Sequence, residues 1–188
     1  MEKHNAYGKT EMWYIVEADE NASILCGFDK DVSIERFIGS VDDETITNDL
    51  KNINTSPGKV YFIPPGMIHS IGKGNLLAEI QQTSDITYRV FDWNRKDDQG
   101  ATRELHIDFA KDVVNLKKNN EDDVKYETIE NTRVDILTNN YFTAGYFNIN
   151  MPVTLDYELF DSFKVLMCVA GEMDIDYDGE DVVNLKKG

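Results

Sequence analysis

The sequence predicts an all-β protein, a barrel or a sandwich, on two observations. Short runs of β-branched and aromatic residues alternate with Gly, Pro, Asn and Asp clusters along most of the 188 residues, as in consecutive strands and turns. Near the C-terminal end, Tyr177-Asp-Gly-Glu-Asp places an Asp-Gly turn between two alternating runs, 173–177 and 182–185. That is the short-range signature of an antiparallel hairpin with one buried and one wet face.

Taken in order, strands are expected at 12–18, 23–28, 59–63, 76–82, 87–92, 133–138, 141–150, 163–170, 172–177 and 182–185. Two helical stretches interrupt them, 33–39 continuing as 42–52 and a shorter one near 107–114. Ser33, Asp42 and Asp43 are candidate N-caps for the first. These helices are expected to cover the barrel rather than build it. Between 115 and 130 the chain becomes charged, with Lys-Lys-Asn-Asn-Glu-Asp-Asp at its centre. Such a stretch is a solvated loop or a linker, and the strands that resume at Arg133 favour the linker. The boundary near Asn120 divides the chain into units 1–120 and 121–188.

Composition narrows the function. With 35 acidic against 19 basic residues the formal charge is −16, which repels nucleic acid and anionic membranes. An anionic small molecule remains a suitable ligand where a few cations are focused locally. No apolar run approaches the roughly 20 residues needed to span a bilayer, and Met1-Glu-Lys-His-Asn is not a secretory start, so a cytoplasmic protein is expected. Cys26 and Cys168 lie far apart in apolar segments and read as two buried small hydrophobes, not as a disulfide or a thiolate metal site.

Three histidines, His4, His69 and His106, are too few for a histidine-only metal cage, so any metal site must include carboxylates. His69 is the informative one. Gly58-Lys-Val-Tyr-Phe-Ile-Pro-Pro-Gly-Met-Ile-His reads as a strand, a tight Pro-Gly turn, and a histidine opening the next strand. On its residues alone, His69 is either a satisfied core histidine or a ligand facing a barrel mouth. His106, in Arg-Glu-Leu-His-Ile, reads as packing at a helix start.

The spacing of Gly58, Pro64, Gly66 and His69 resembles the second cupin motif, with Lys73 where the motif usually ends in Asn. Gly8-Lys-Thr-Glu-Met-Trp-Tyr-Ile, the run from Leu77 through Asp85-Ile-Thr-Tyr-Arg-Val-Phe-Asp-Trp, and Arg103-Glu-Leu-His-Ile are similar to the type I mannose-6-phosphate isomerases. The resemblance implies a cupin-type double-stranded β-helix, or jelly roll, of two cupin units with small helical insertions. It further implies that Glu11 and His69 bind zinc (Zn2+). The remaining family ligands are expected upstream of Glu11, beyond this chain's start, and a further strand after its end, so a fragment is expected, with His4 a surface residue. The reaction implied is the interconversion of mannose 6-phosphate and fructose 6-phosphate through an enediol.

Within that frame, Lys9 and Glu79 are the candidates for proton transfer, Arg89 for holding an oxyanion or phosphate, and Asp85 for support. Lys9 and Glu11 are two apart on one strand and so share a face, as do Glu79 and Gln81. The aromatic residues Trp13, Tyr14, Tyr61, Phe62, Tyr88 and Trp93 divide between pocket and core in a way periodicity does not resolve. A second reading is a non-catalytic cupin that binds a sugar or serves as a scaffold. An iron dioxygenase is weaker, because it wants a second well-placed histidine. Loss of the first strands would leave a β edge through which a homo-oligomer could form.

Overall fold

The computed structural model describes residues 8–84, 86–177, 179 and 181–188; His4 and Asp85 lie outside the described residues. The architecture is all-β with small helical insertions. Two three-stranded antiparallel sheets come first. One has the order β4-β1-β6, from Val60–Ile63, Glu11–Ala18 and Asn75–Gln81. The other has the order β3-β2-β5, from Leu50–Asn54, Ser23–Phe28 and His69–Ile71. Two two-stranded sheets follow: β7 (Val134–Thr138) with β8 (Thr143–Tyr146), and β9 (Glu172–Tyr177) with β10 (Asp181–Lys186). The last is the hairpin expected from the Asp-Gly turn, with Asp181 opposite Tyr177.

The alternation of β1 explains its central place. Trp13 and Ile15 point to one face and pack with Ile24, Cys26, Tyr61 and Ile63, so this core is filled from both three-stranded sheets. A second core gathers Phe28, Phe37, Val41, Ile46, Leu50, Val90 and Ala110 around the helices α1 (Ile34–Asp42) and α2 (Ile107–Val113). Ser33 caps α1 by accepting from the Arg36 backbone N–H, as its side chain suggested.

Several expectations are corrected. The helix expected over 42–52 ends at Asp42, and Glu44 takes φ 60. A single 3-10 turn, Ile46–Asn48, then leads into β3, whose Leu50-Lys-Asn-Ile-Asn alternates as a strand does. Segments 87–92 and 163–170 join no sheet among the described residues, and the strand expected over 141–150 contracts to Thr143–Tyr146. Cys26 is buried as expected, but Cys168 is only half-buried.

The chain divides into two compact units, one of residues up to Lys125 together with Ile136–Ala144, the other of Tyr126–Asp135 and Gly145–Gly188. The charged stretch 115–125 belongs to the first and is held there. Asn119 Nδ2 donates to the Cys26 carbonyl at 2.9 Å, Lys51 pairs with Asp122 at 2.8 Å, Lys59 with Asp123 at 2.6 Å, and the Val124 N–H donates to Val60 O at 2.8 Å. In the second unit, Asn131 Oδ1 accepts the Asn150 N–H at 2.9 Å, and Tyr126 leans on Tyr146. Among the described residues no helix is long and apolar enough to cross a membrane.

Candidate functional site

Two neighbouring elements of the first unit build the site. The strand β1 is entered through Gly8-Lys9-Thr10, and a Cβ on Gly8 would lie 2.7 Å from Pro65 Cβ. The chain carrying Lys9 and Glu11 is therefore seated directly against the Pro64-Pro65-Gly66 turn that delivers His69. That turn in turn rests on the end of α2, where the Asn115 N–H donates to the Gly66 carbonyl at 2.8 Å.

Glu11 is the buried acid of the site, 1% exposed. Its Oε1 is 3.0 Å from Lys9 Nζ, while Oε2 has no hydrogen-bond partner and lies 3.6 Å from His69 Nε2. A buried carboxylate oxygen left unpartnered is costly and calls for an explanation. His69 supplies half of one. Its Nδ1–H donates to the Met67 carbonyl at 2.8 Å, which fixes the tautomer and leaves the Nε2 lone pair aimed at Glu11. Burial holds the imidazole below its ordinary pKa, against the opposing pull of the Met67 carbonyl, so the neutral ring is favoured.

Behind this pair, Trp13 meets His69 edge-on at 5.2 Å, and its indole N–H donates to Glu79 Oε1 at 3.1 Å. The Glu79 carboxyl adjoins that of Glu11. Burial first and the neighbouring Glu79 carboxyl second push the Glu11 carboxyl up to about 7, only partly offset by Lys9. Burial acts upward on Glu79 as well, but the neighbouring Glu11 carboxyl and the Trp13 N–H prevail and its pKa is lowered. Of the two adjoining carboxyls, Glu11 is the one that takes up a proton more readily.

An imidazole lone pair and an orphaned carboxylate oxygen facing each other are the donors a cation such as zinc takes. Glu11 and His69 thus fit two positions of a metal site. Among the described residues no group of three or more His, Cys, Asp or Glu is arranged to hold a metal.

Lys9, Glu11 and His69 line a cavity of about 920 Å³ with Gln82, Tyr88 and Arg89. Glu79 does not line it. Arg89 is held at both ends: its backbone N–H donates to His106 Nδ1 at 3.2 Å, the His106 N–H returns to the Arg89 carbonyl at 2.8 Å, and its guanidinium Nη1 donates to the Glu104 carbonyl at 3.2 Å. His106 sits at the N-cap position of α2, at the helix start expected of it. Sequence reasoning missed Asp92, Arg95 and Arg103, which also line the cavity. Asp92 accepts from both guanidiniums, from Arg103 Nε at 2.9 Å and from the Nη2 atoms of Arg95 and Arg103. Their signal was the cluster of arginines after Asp92, which spacing alone does not distinguish from surface charge.

Searches for similar proteins give one consistent result. The chain is 33% identical over 187 residues to mannose-6-phosphate isomerase ManA of Bacillus subtilis, covering 96% of this chain and 57% of that protein. It is 40% identical over 120 residues to a mannose-6-phosphate isomerase of Streptococcus mutans, covering 63% of this chain and 37% of that protein. The chain therefore spans somewhat over half the length of that Bacillus subtilis protein. The crystal structure of the mannose 6-phosphate isomerase from Bacillus subtilis superposes with a TM-score of 0.74 at 27% identity, over 100% of this chain and 59% of that one. A mannose 6-phosphate isomerase described as bound with zinc and yttrium shares the fold, with a TM-score of 0.58 at 14% identity over 96% of this chain and 60% of that one. No family model matches the sequence.

Proposed function

We propose that this chain, a relative of the mannose-6-phosphate isomerases along 96% of its length and of cupin fold like them, carries the core of a zinc-dependent site for interconverting mannose 6-phosphate and fructose 6-phosphate. One observation supports this best: the unpartnered Glu11 Oε2 opposite the His69 Nε2 lone pair, in a cavity that also presents Lys9 and Arg89.

Glu11 and His69 would hold the zinc, whose contribution when bound is to polarise sugar oxygens as charge develops at them. The chain's own residues account for the rest. An aldose becomes a ketose when a proton leaves C2 and one returns to C1, with an enediol between. Lys9, on the cavity wall, would carry that proton, and Glu79, beside Glu11, would store or relay one. Arg89 is the fixed charge, its guanidinium suited to an oxyanion or phosphate through two parallel N–H groups.

The deciding measurement is zinc content of protein purified without added metal or a metal-binding tag, beside Glu11→Gln and His69→Ala. Near one zinc per chain, lost in both variants, is expected, and mannose 6-phosphate isomerisation should fall with it by at least 100-fold. Equal zinc in all three proteins would remove Glu11 and His69 from the metal site. A second reading, a sugar-binding scaffold without turnover, is favoured by the two-donor set. It predicts hexose phosphate binding by the zinc-loaded chain with no product formed.

A further inference from the structure

We propose that Trp93 is a platform for the sugar ring of a hexose phosphate on the cavity wall, and thereby sets the preference for hexose over shorter sugar phosphates; this rests on the sugar-phosphate reading above. Trp93 lines the same cavity as Lys9, Glu11, His69 and Arg89. It is 50% exposed, so its position is not dictated by burial in the core.

Its backbone makes the placement telling. Trp93 and Asn94 both take φ 51, a left-handed conformation that costs a bulky L-residue and that a single glycine would relieve. Such strain persists only where the surroundings over-determine it, and here they do. Asn94 Nδ2 donates to Glu44 Oε2 at 2.7 Å, and Glu44 is itself left-handed at φ 60. On the other side the Arg95 N–H donates to the Asp92 carbonyl at 3.1 Å, and Arg95 and Arg103 both close on the Asp92 carboxylate. Phe91 meets the indole tilted by 57° with centroids 5.2 Å apart, and the Arg95 guanidinium lies over one face of the ring, 5.6 Å from its centroid.

The loop is thus clamped from both ends in a costly conformation whose product is an indole held beside the cavity. The electron-rich face of a tryptophan attracts the weakly positive C–H groups of a sugar ring, and its area excludes water from them. A triose phosphate has no ring to offer. The neighbouring Arg95 guanidinium, paired with Asp92 yet 61% exposed, adds positive charge for an anionic ligand at the same place.

The test pairs Trp93→Gly with Trp93→Phe in the full chain. Calorimetry measures binding of mannose 6-phosphate, of glyceraldehyde 3-phosphate and of inorganic phosphate, and thermal melting measures stability. Expected for Trp93→Gly is an affinity for mannose 6-phosphate about tenfold weaker, unchanged binding of the two smaller ligands, and a melting temperature no lower than wild type, since glycine accepts φ 51. Trp93→Phe keeps most of the hexose affinity. Undiminished hexose binding by Trp93→Gly, or an equal loss for all three ligands, overturns the platform and leaves the function reading standing. A lowered melting temperature with unchanged selectivity makes Trp93 structural. Wild-type chain that binds no hexose phosphate overturns both.

Discussion

Gly66 shows how narrowly one residue can determine the site. It takes φ 85, and a Cβ there would lie 2.4 Å from the Val113 carbonyl oxygen, so any side chain meets both backbone strain and a collision. Gly100 has nearly the same φ, 84, with nothing within 4 Å of its Cβ position, and isolates the strain from the collision. Gly100→Ala is expected to cost about 1–2 kcal/mol and Gly66→Ala about 2–5 kcal/mol in urea unfolding. Gly66→Ala should also move His69, three residues on, and release zinc; equal stability losses in the two variants would mean the Val113 collision is relaxed away. At this scale the sequence was informative where a residue's chemistry and spacing coincide, as in Pro64-Pro65-Gly66 before His69 and Lys9 two before Glu11. It was silent on what depends on distant partners. Nothing local in Glu79 shows that an indole 66 positions away in sequence would bind its Oε1, nor in Trp93 that its backbone would be left-handed.

Elements were legible in proportion to how much of their conformation is local. The strands β1, β2, β4 and β6 are rich in apolar residues, β-branched and aromatic ones among them, and emerged within one or two residues of expectation. The stretch 42–52 misled because its acids and threonine resemble a helix start, whereas the left-handed Glu44 stops α1 and Ile53 is drawn against the Trp13 core. Segment 87–92 has strand composition, yet Val90 packs in the core formed around α1 and α2 and the segment joins no ladder. The loop that follows is closed by Asp92, and here a pH dependence can be derived. Hydrogen bonding from Arg103 foremost, opposed by desolvation and reinforced by Arg95, holds the Asp92 carboxyl well below the usual carboxylate range. A carboxyl with a lowered folded pKa stabilises fully above its unfolded value of about 3.9 and loses that contribution as pH falls toward the folded one. The stability gap between wild type and Asp92→Asn should therefore be flat from pH 7 to about 5 and shrink progressively below about 4. Denaturant melts at pH 7, 5, 4 and 3 measure it, and a gap that widens in acid would contradict the clamp.

Across the whole molecule, burial is unevenly shared. The first unit contains both hydrophobic cores, with Trp13, Phe28, Phe37, Ile15 and Val60 almost wholly enclosed. In the second unit Leu159 is 96% exposed and Phe163 84%, with Val165 and Tyr177 largely open as well. Apolar burial is what offsets the ordering of a chain, so two units so differently packed should not be equally stable. The formal charge of −16 adds repulsion in any compact state, and the first unit answers part of it locally through Lys51–Asp122 and Lys59–Asp123. Amide hydrogen exchange should separate the units: β1, β2 and β4 protected to the level of global unfolding, and 151–170, which contributes no strand, exchanging at the earliest times. Because Glu11 stands in β1 and His69 follows β4 by one turn, the candidate metal pair belongs to the protected part. Zinc should then slow exchange in β1 and β5 while leaving 151–170 as fast as before. Protection appearing in 151–170 on adding zinc alone would mean instead that the second unit's order is coupled to the metal.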